Sequence, residues 1–184
     1  MQLEFHVTVK CNDVSKFVED CKEIGVKPII IETEKGEIFD NQVMTSSTNN
    51  NIHNINEICY LLERKNYQIL RKKVEKKPEK LKDPHFIYYE THFRLKLDKN
   101  FDRSNLVSLC KKHNFHLSRN LFKKDETFNY QMITYRSYKD SLRKFKAVIN
   151  KMKKQLIELN IDFDKIEIEE CIFDSNISID NKWL

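Results

Sequence analysis

Glu90-Thr91-His92-Phe93-Arg94-Leu95-Lys96 alternates in character, and Glu4-Phe5-His6-Val7-Thr8-Val9-Lys10 repeats the pattern half a chain earlier. Successive side chains of a strand point to opposite faces, so each stretch gathers its glutamate, histidine and third polar residue on one face. Recurrence of one pattern along a chain signals recurrent structure. The pair predicts an internal duplication in which each half places one histidine at an equivalent point.

The residues around the first stretch fit a β-α-β-β-α-β order. Asn12-Asp13 precedes Val14, Phe17, Val18, Cys21 and Ile24, which is helix spacing behind an N-cap, with Gly25 just past its end. Pro28 to Glu32 reads as a second strand and Phe39 to Thr45 as a third, joined by a turn at Lys35-Gly36-Glu37. The polar run Ser46 to Asn54 reads as a loop. Ile55, Ile58, Cys59, Leu61 and Leu62 form a second helical stripe, and Tyr67 to Glu75 a fourth strand.

After Lys76 to Pro84, rich in charge and proline, the same order returns. Leu106, Val107 and Cys110 correspond to Phe17, Val18 and Cys21, while Gln131 and Thr134 correspond to Gln42 and Thr45. Leu142, Phe145, Ile149, Met152, Leu156 and Leu159 make the longest helical stripe, before a strand from Lys165 to Phe173. The expected fold is α+β: two ferredoxin-like (βαββαβ) lobes, residues 1–76 and 86–173, with antiparallel sheets facing each other across a polar cleft. Residues 77–85 are the expected linker, and residues 174–184 a C-terminal tail packed on the body by Trp183.

Composition narrows the function. Two glycines, Gly25 and Gly36, leave no glycine-rich phosphate loop, and no G-x-S-x-G elbow occurs. Five cysteines without C-x-x-C spacing argue against a disulfide framework or a cysteine-built zinc site. No apolar run has membrane length, so a cytoplasmic protein without a membrane partner is expected. The net charge of +5 permits an anionic partner, nucleic acid included, but a lysine-rich solvated surface explains it equally. Oligomeric state is not legible.

Strand alternation sends Phe5, Val7 and Val9, and likewise Phe93, Leu95 and Leu97, toward the helices. The opposite faces then carry Glu4, His6, Thr8, Arg71, Lys73 and Glu75 in the first half, and Glu90, His92, Arg94, Glu167, Glu169 and Cys171 in the second. Such groups are costly in a dry interior unless each has a partner. The expected site is therefore the cleft between them. Its favoured chemistry is acid–base catalysis by His6 and His92, oriented by Glu75 and Glu90, without a cofactor. Thr8, Arg71, Arg94, His116, Ser118, Arg119 and Arg136 are the expected contacts to an anionic substrate, such as a nucleotide, cyclic phosphate or RNA end. Strict alternation puts Arg119 on the face opposite His116 and Ser118.

His6-Val7-Thr8 has the H-x-T form, and on these residues the chain resembles the two-histidine phosphoesterases. Those are duplicated, two-lobed proteins with one H-x-[ST] motif per lobe, acting on cyclic phosphates or RNA ends. The counterpart here, His92-Phe93-Arg94, has arginine in the hydroxyl position, whereas His116-Leu117-Ser118 fits the motif on a different strand. A second reading is a divalent transition-metal enzyme with His6, Glu75, His92 and Glu169 as ligands. That set resembles the vicinal-oxygen-chelate enzymes, whose repeated unit is βαβββ. The third reading is a non-catalytic module binding RNA or protein.

Overall fold

Among the described residues, eight strands and four α-helices follow the two periodicities of the sequence. The structure, a computed structural model, describes residues 1–35, 38–79, 83–120 and 128–180, with residues 34, 35 and 38–40 described by their backbone alone. The first half contains β1 (Leu3–Lys10), α1 (Val14–Glu23), β2 (Lys27–Lys35), β3 (Ile38–Asn49), α2 (Asn54–Arg64) and β4 (Gln68–Lys76). The second contains β5 (Tyr88–Asp98), α3 (Ser104–His113), β6 (His116–Asn120), β7 (Phe128–Ser137), α4 (Leu142–Glu158) and β8 (Asp162–Asp174), followed by a 3-10 turn, Ile177–Asp180.

Local chemistry sets the ends of these elements. The Asp13 carboxylate accepts from Lys16 N at 3.0 Å at the start of α1, and the Ser141 hydroxyl accepts from Lys144 N at 3.3 Å at the start of α4. Each satisfies a backbone donor that a helix N-terminus leaves free. Asn114 ends α3 in the left-handed region at φ 55°, the conformation a C-terminal cap requires.

The expected pair of sheets facing across a cleft is not what forms. The strands run β1-β3-β2-β6-β7-β5-β8-β4 and close back on β1, giving one antiparallel barrel. Two seams unite the halves: β2 pairs with β6 over Ile31–Thr33 and Ser118–Asn120, and β4 pairs with β8 over Lys73–Lys76. The physical reason is at the strand edges. An open sheet leaves a row of unpaired N–H and C=O groups on each edge strand, and closure pairs them. Side-chain alternation reports faces and says nothing about edges.

The helices pack outside the barrel over two apolar layers. Phe5, Val7 and Val9 meet Phe17 and Cys21 of α1 and Ile55, Ile58 and Leu62 of α2. Phe93, Leu95 and Leu97 meet Leu106 of α3 and Phe145, Ile149 and Met152 of α4. The polar strand face is thereby turned toward the barrel axis.

Two further expectations change. Ser46–Asn49 continue β3 rather than forming a loop, because pairing with Leu3–His6 satisfies their backbone whatever their side chains. Gln42 and Gln131 do not occupy equivalent positions: Gln42 lines the interior, whereas Gln131 pairs with the outward Leu95. Met44 beside Thr8 and Met132 beside Arg94 are the matching interior pair. The glutamine match is one residue out of step, which in a strand reverses the face. The Gly36 turn and Trp183 lie outside the described residues.

Candidate active site

The barrel axis holds a cavity of ≈ 250 Å³ bordered by charged side chains. Eight strands enclose an interior that side chains can nearly fill, and this one is filled with polar groups. Register decides which groups meet. On β1 and β4, Glu4 stands beside Glu75, His6 beside Lys73 and Thr8 beside Arg71. On β5, Glu90 stands between Glu169 of β8 and Arg136 of β7, and His92 beside Thr134 of β7. His6, Glu75, Glu169 and Glu90 thus come from four successive strands, β1, β4, β8 and β5.

These groups form one ion-pair chain. Arg71 donates through Nε and Nη2 to Asp174 at 2.9 and 2.6 Å, and through Nη1 to Asp180 Oδ2 at 2.8 Å. Arg136 joins the same Asp180 oxygen at 2.7 Å to Glu90 Oε1 at 2.5 Å, with its guanidinium 4.3 Å from the Tyr88 ring centre. Lys73 donates to Glu90 Oε2 at 2.8 Å and lies 2.8 Å from Glu75 Oε2, close enough for an ion pair but not aligned as a hydrogen bond. A buried charge is tolerable only when paired in this way.

The two histidines sit at unlike points of the chain. His6 Nε2 is 3.4 Å from both Glu4 and Glu75, and Nδ1 has no hydrogen-bond partner among the described residues. Carboxylates beside Nε2 favour the tautomer with the proton there, which leaves the lone pair on Nδ1. Burial, then the Lys73 ammonium, pushes His6 down to about 4. His92 shares Nδ1 with the Thr134 hydroxyl at 2.8 Å, and its Nε2 is 3.6 Å from Glu90 and 3.5 Å from Glu169. Burial opposes its charge, but the Glu90 and Glu169 carboxylates outweigh burial and raise its pKa.

The carboxyl groups divide similarly. Burial works against Glu90, yet Arg136 and Lys73 hold it well below the usual carboxylate range. Glu169 is pushed up to about 8 by burial and by Glu75, and Glu75 is raised by burial and by Glu90.

Most of the expected residues come together. His6, His92, Thr8, Arg71, Arg94, Arg136, Glu90 and Glu169 border the cavity, and Glu75 is fully buried behind His6. Arg94 pairs with Asp164 at 2.5 Å near the opening. Ser118, buried, stands beside Met132, and half-buried His116 beside Thr134; both share the inward strand face but do not border the cavity. Arg119 is a correction: alternation turns it out of the barrel, where it is exposed and pairs with Glu32 of β2.

Several participants escape a reading of the sequence. Lys73 falls on the polar face without an assigned role, although its position between Arg71 and Glu75 marks it. Asp180 lies past the last strand, where no periodicity reaches. Among the described residues no three His, Cys, Asp or Glu side chains stand in metal-holding geometry. The Lys73 ammonium lies 2.8 Å from both Glu75 and Glu90.

The molecule is therefore an antiparallel barrel with an ionised interior and an external helical layer. No family model matches the chain, and no curated protein matches it. Among solved structures, the acetolactate synthase small subunit from Thermotoga maritima aligns at 12% identity over 95% of this chain and 96% of that one, with a TM-score of 0.33. A heme-binding protein from Thermus thermophilus aligns at 9% identity over 92% and 90%, with a TM-score of 0.32. A protein of unknown function from Galdieria sulphuraria aligns at 14% identity over 92% and 99%, with a TM-score of 0.31. At such scores the likeness carries no argument about activity. No described helix is long and apolar enough to cross a membrane.

Proposed function

We propose that the barrel interior is an acid–base site in which His6 takes a proton from a small polar substrate and His92 returns one. The supporting observation is the unlike setting of the two histidines in one chamber. His6 stands beside an ammonium with an unpartnered nitrogen, and His92 lies between two carboxyl groups. Titratable pairs whose surroundings push them apart mark the base and the acid. At neutral pH the neutral imidazole of His6 accepts the proton of an attacking hydroxyl or water, and the imidazolium of His92 donates to the leaving oxygen. Glu75 and Glu90 position the rings.

A cavity of ≈ 250 Å³ lies below the range of about 300–1,000 Å³ typical of drug-sized ligands, so the substrate is small. A compact phosphoester meets both requirements, and hydrolysis of one is the reaction we favour. Metal chemistry is the weaker reading because Lys73 is ion-paired with Glu75, one of the expected ligands.

The test is an imidazole NMR titration of the wild-type chain, followed by turnover of small cyclic and acyclic phosphoesters. His6 is expected to stay neutral down to about pH 4 while His92 titrates above its ordinary 6.5. His6→Ala and His92→Ala should each lower kcat by about 10²–10⁴-fold in folded protein. Two histidines titrating together near 6.5 would refute the assignment.

A further inference from the structure

The 3-10 turn Ile177–Asp180 lies beyond the last barrel strand, yet its Asp180 carboxylate borders the chamber and is only 8% exposed. Arg71 Nη1 and Arg136 Nη2 donate to Oδ2 at 2.8 and 2.7 Å, and Gln42 Nε2 donates to Oδ1 at 3.3 Å. Donors from β4, β7 and β3 thus converge on one oxyanion. That oxyanion belongs to a short turn bonded locally, Ile179 N donating to Asn176 O at 3.3 Å and Ser178 Oγ to Asn176 Oδ1 at 2.8 Å, while Asn176 at its base donates through Nδ2 to Leu70 O at 3.1 Å.

The cradle does not need Asp180 to exist. Arg71 is anchored separately by its two bonds to Asp174, and Arg136 by Glu90. Those carboxylates hold both guanidinium planes in place with or without the turn. With Asp180 withdrawn, Arg71 and Arg136 would keep Asp174 and Glu90 but lose the acceptor they share. The vacated donors would then be cationic, oriented and buried, and such donors are costly to leave without an acceptor.

We propose that Arg71, Arg136 and Gln42 form an oxyanion subsite for a small carboxylate- or phosphate-bearing ligand, and that Asp180 is its built-in occupant. The ligand's anionic group displaces the turn and takes over its three bonds. This deepens the acid–base reading by giving the same chamber an anion anchor. The readout below is binding rather than turnover, so either idea can fail alone.

The experiment is calorimetric titration of the full chain with inorganic phosphate and, separately, with acetate. Asp180→Ala empties the cradle and should bind at least one of the two about tenfold or more tightly than wild type. Adding Arg136→Gln to that variant should abolish the gain. A gain with phosphate alone marks a phosphate site, a gain with acetate alone a carboxylate site, and either supports the proposal. Asp180→Asn, which keeps the shape and drops the charge, should gain a few-fold and serves if the alanine variant does not fold. Affinity equal to wild type in the folded variant, or a gain that survives Arg136→Gln, overturns the proposal.

Discussion

Replacing Lys73 with methionine tests the whole charge arrangement at one atom. The change keeps most of the apolar stem and deletes the ammonium that bridges Glu75 and Glu90, each 2.8 Å away. Breaking a buried pair by removing one partner costs about 3–5 kcal/mol, because the remaining charge stays buried without compensation. For a chain of this size each kcal/mol lowers Tm by about 2–4 °C, so a fall of roughly 6–20 °C is expected. One of the two carboxyl groups should then take up a proton. His6 should respond as well. Burial is the first cause of its low pKa and Lys73 the second, so removing Lys73 should raise the His6 midpoint from about 4, short of 6.5. Differential scanning calorimetry and imidazole NMR read the two effects independently. A Tm within about 3 °C of wild type, with His6 unmoved, would refute the reasoning.

Two other predictions concern pH and packing. Glu169 is at about 8 in the fold against 4.5 unfolded, so its contribution is present at low pH and is lost as pH rises through that window. His6 acts in the opposite sense, weakening the fold as pH falls from 6.5 toward 4, so the net decline above 6.5 belongs to Glu169 and to the raised His92. Urea midpoints should therefore fall between pH 6.5 and 8 in wild type and fall less in Glu169→Gln; equal declines would exclude Glu169 as a source. Phe93 is fully buried outside the barrel between Phe115 and Phe163, at ring-centre distances of 5.9 and 6.0 Å. Phe93→Ala should cost about 3–5 kcal/mol by chemical denaturation, and a loss below about 1 kcal/mol would mean that the external layer is not the main core.

Periodicity makes the faces legible. Glu4, His6, Glu90 and His92 lie inside, and Phe5 and Phe93 lie under the helices, because side-chain direction is a property of the strand itself. Closure is not legible, since the partner of β2 or β4 is chosen by edges that carry no side-chain signature. The Gln42 and Gln131 match fails because identity of residue type does not guarantee identity of register. Arg71 and Arg136 reach the chamber as their strand positions suggest. Their engagement with Asp174 and Asp180 is hidden, because both carboxylates come from the end of β8 and the turn beyond it.

Among the described residues β2 and β6 pair over three residues on each side, and β5 and β8 pair from Tyr88 to Lys96. Opening of this junction between the two halves would bare two strand rims, each able to recruit a strand from another molecule. The Glu32–Arg119 bridge across the outside of the junction is a feature that opposes this. Arg119, set apart from the chemistry of the interior, thus serves as a clasp between the two halves of the chain.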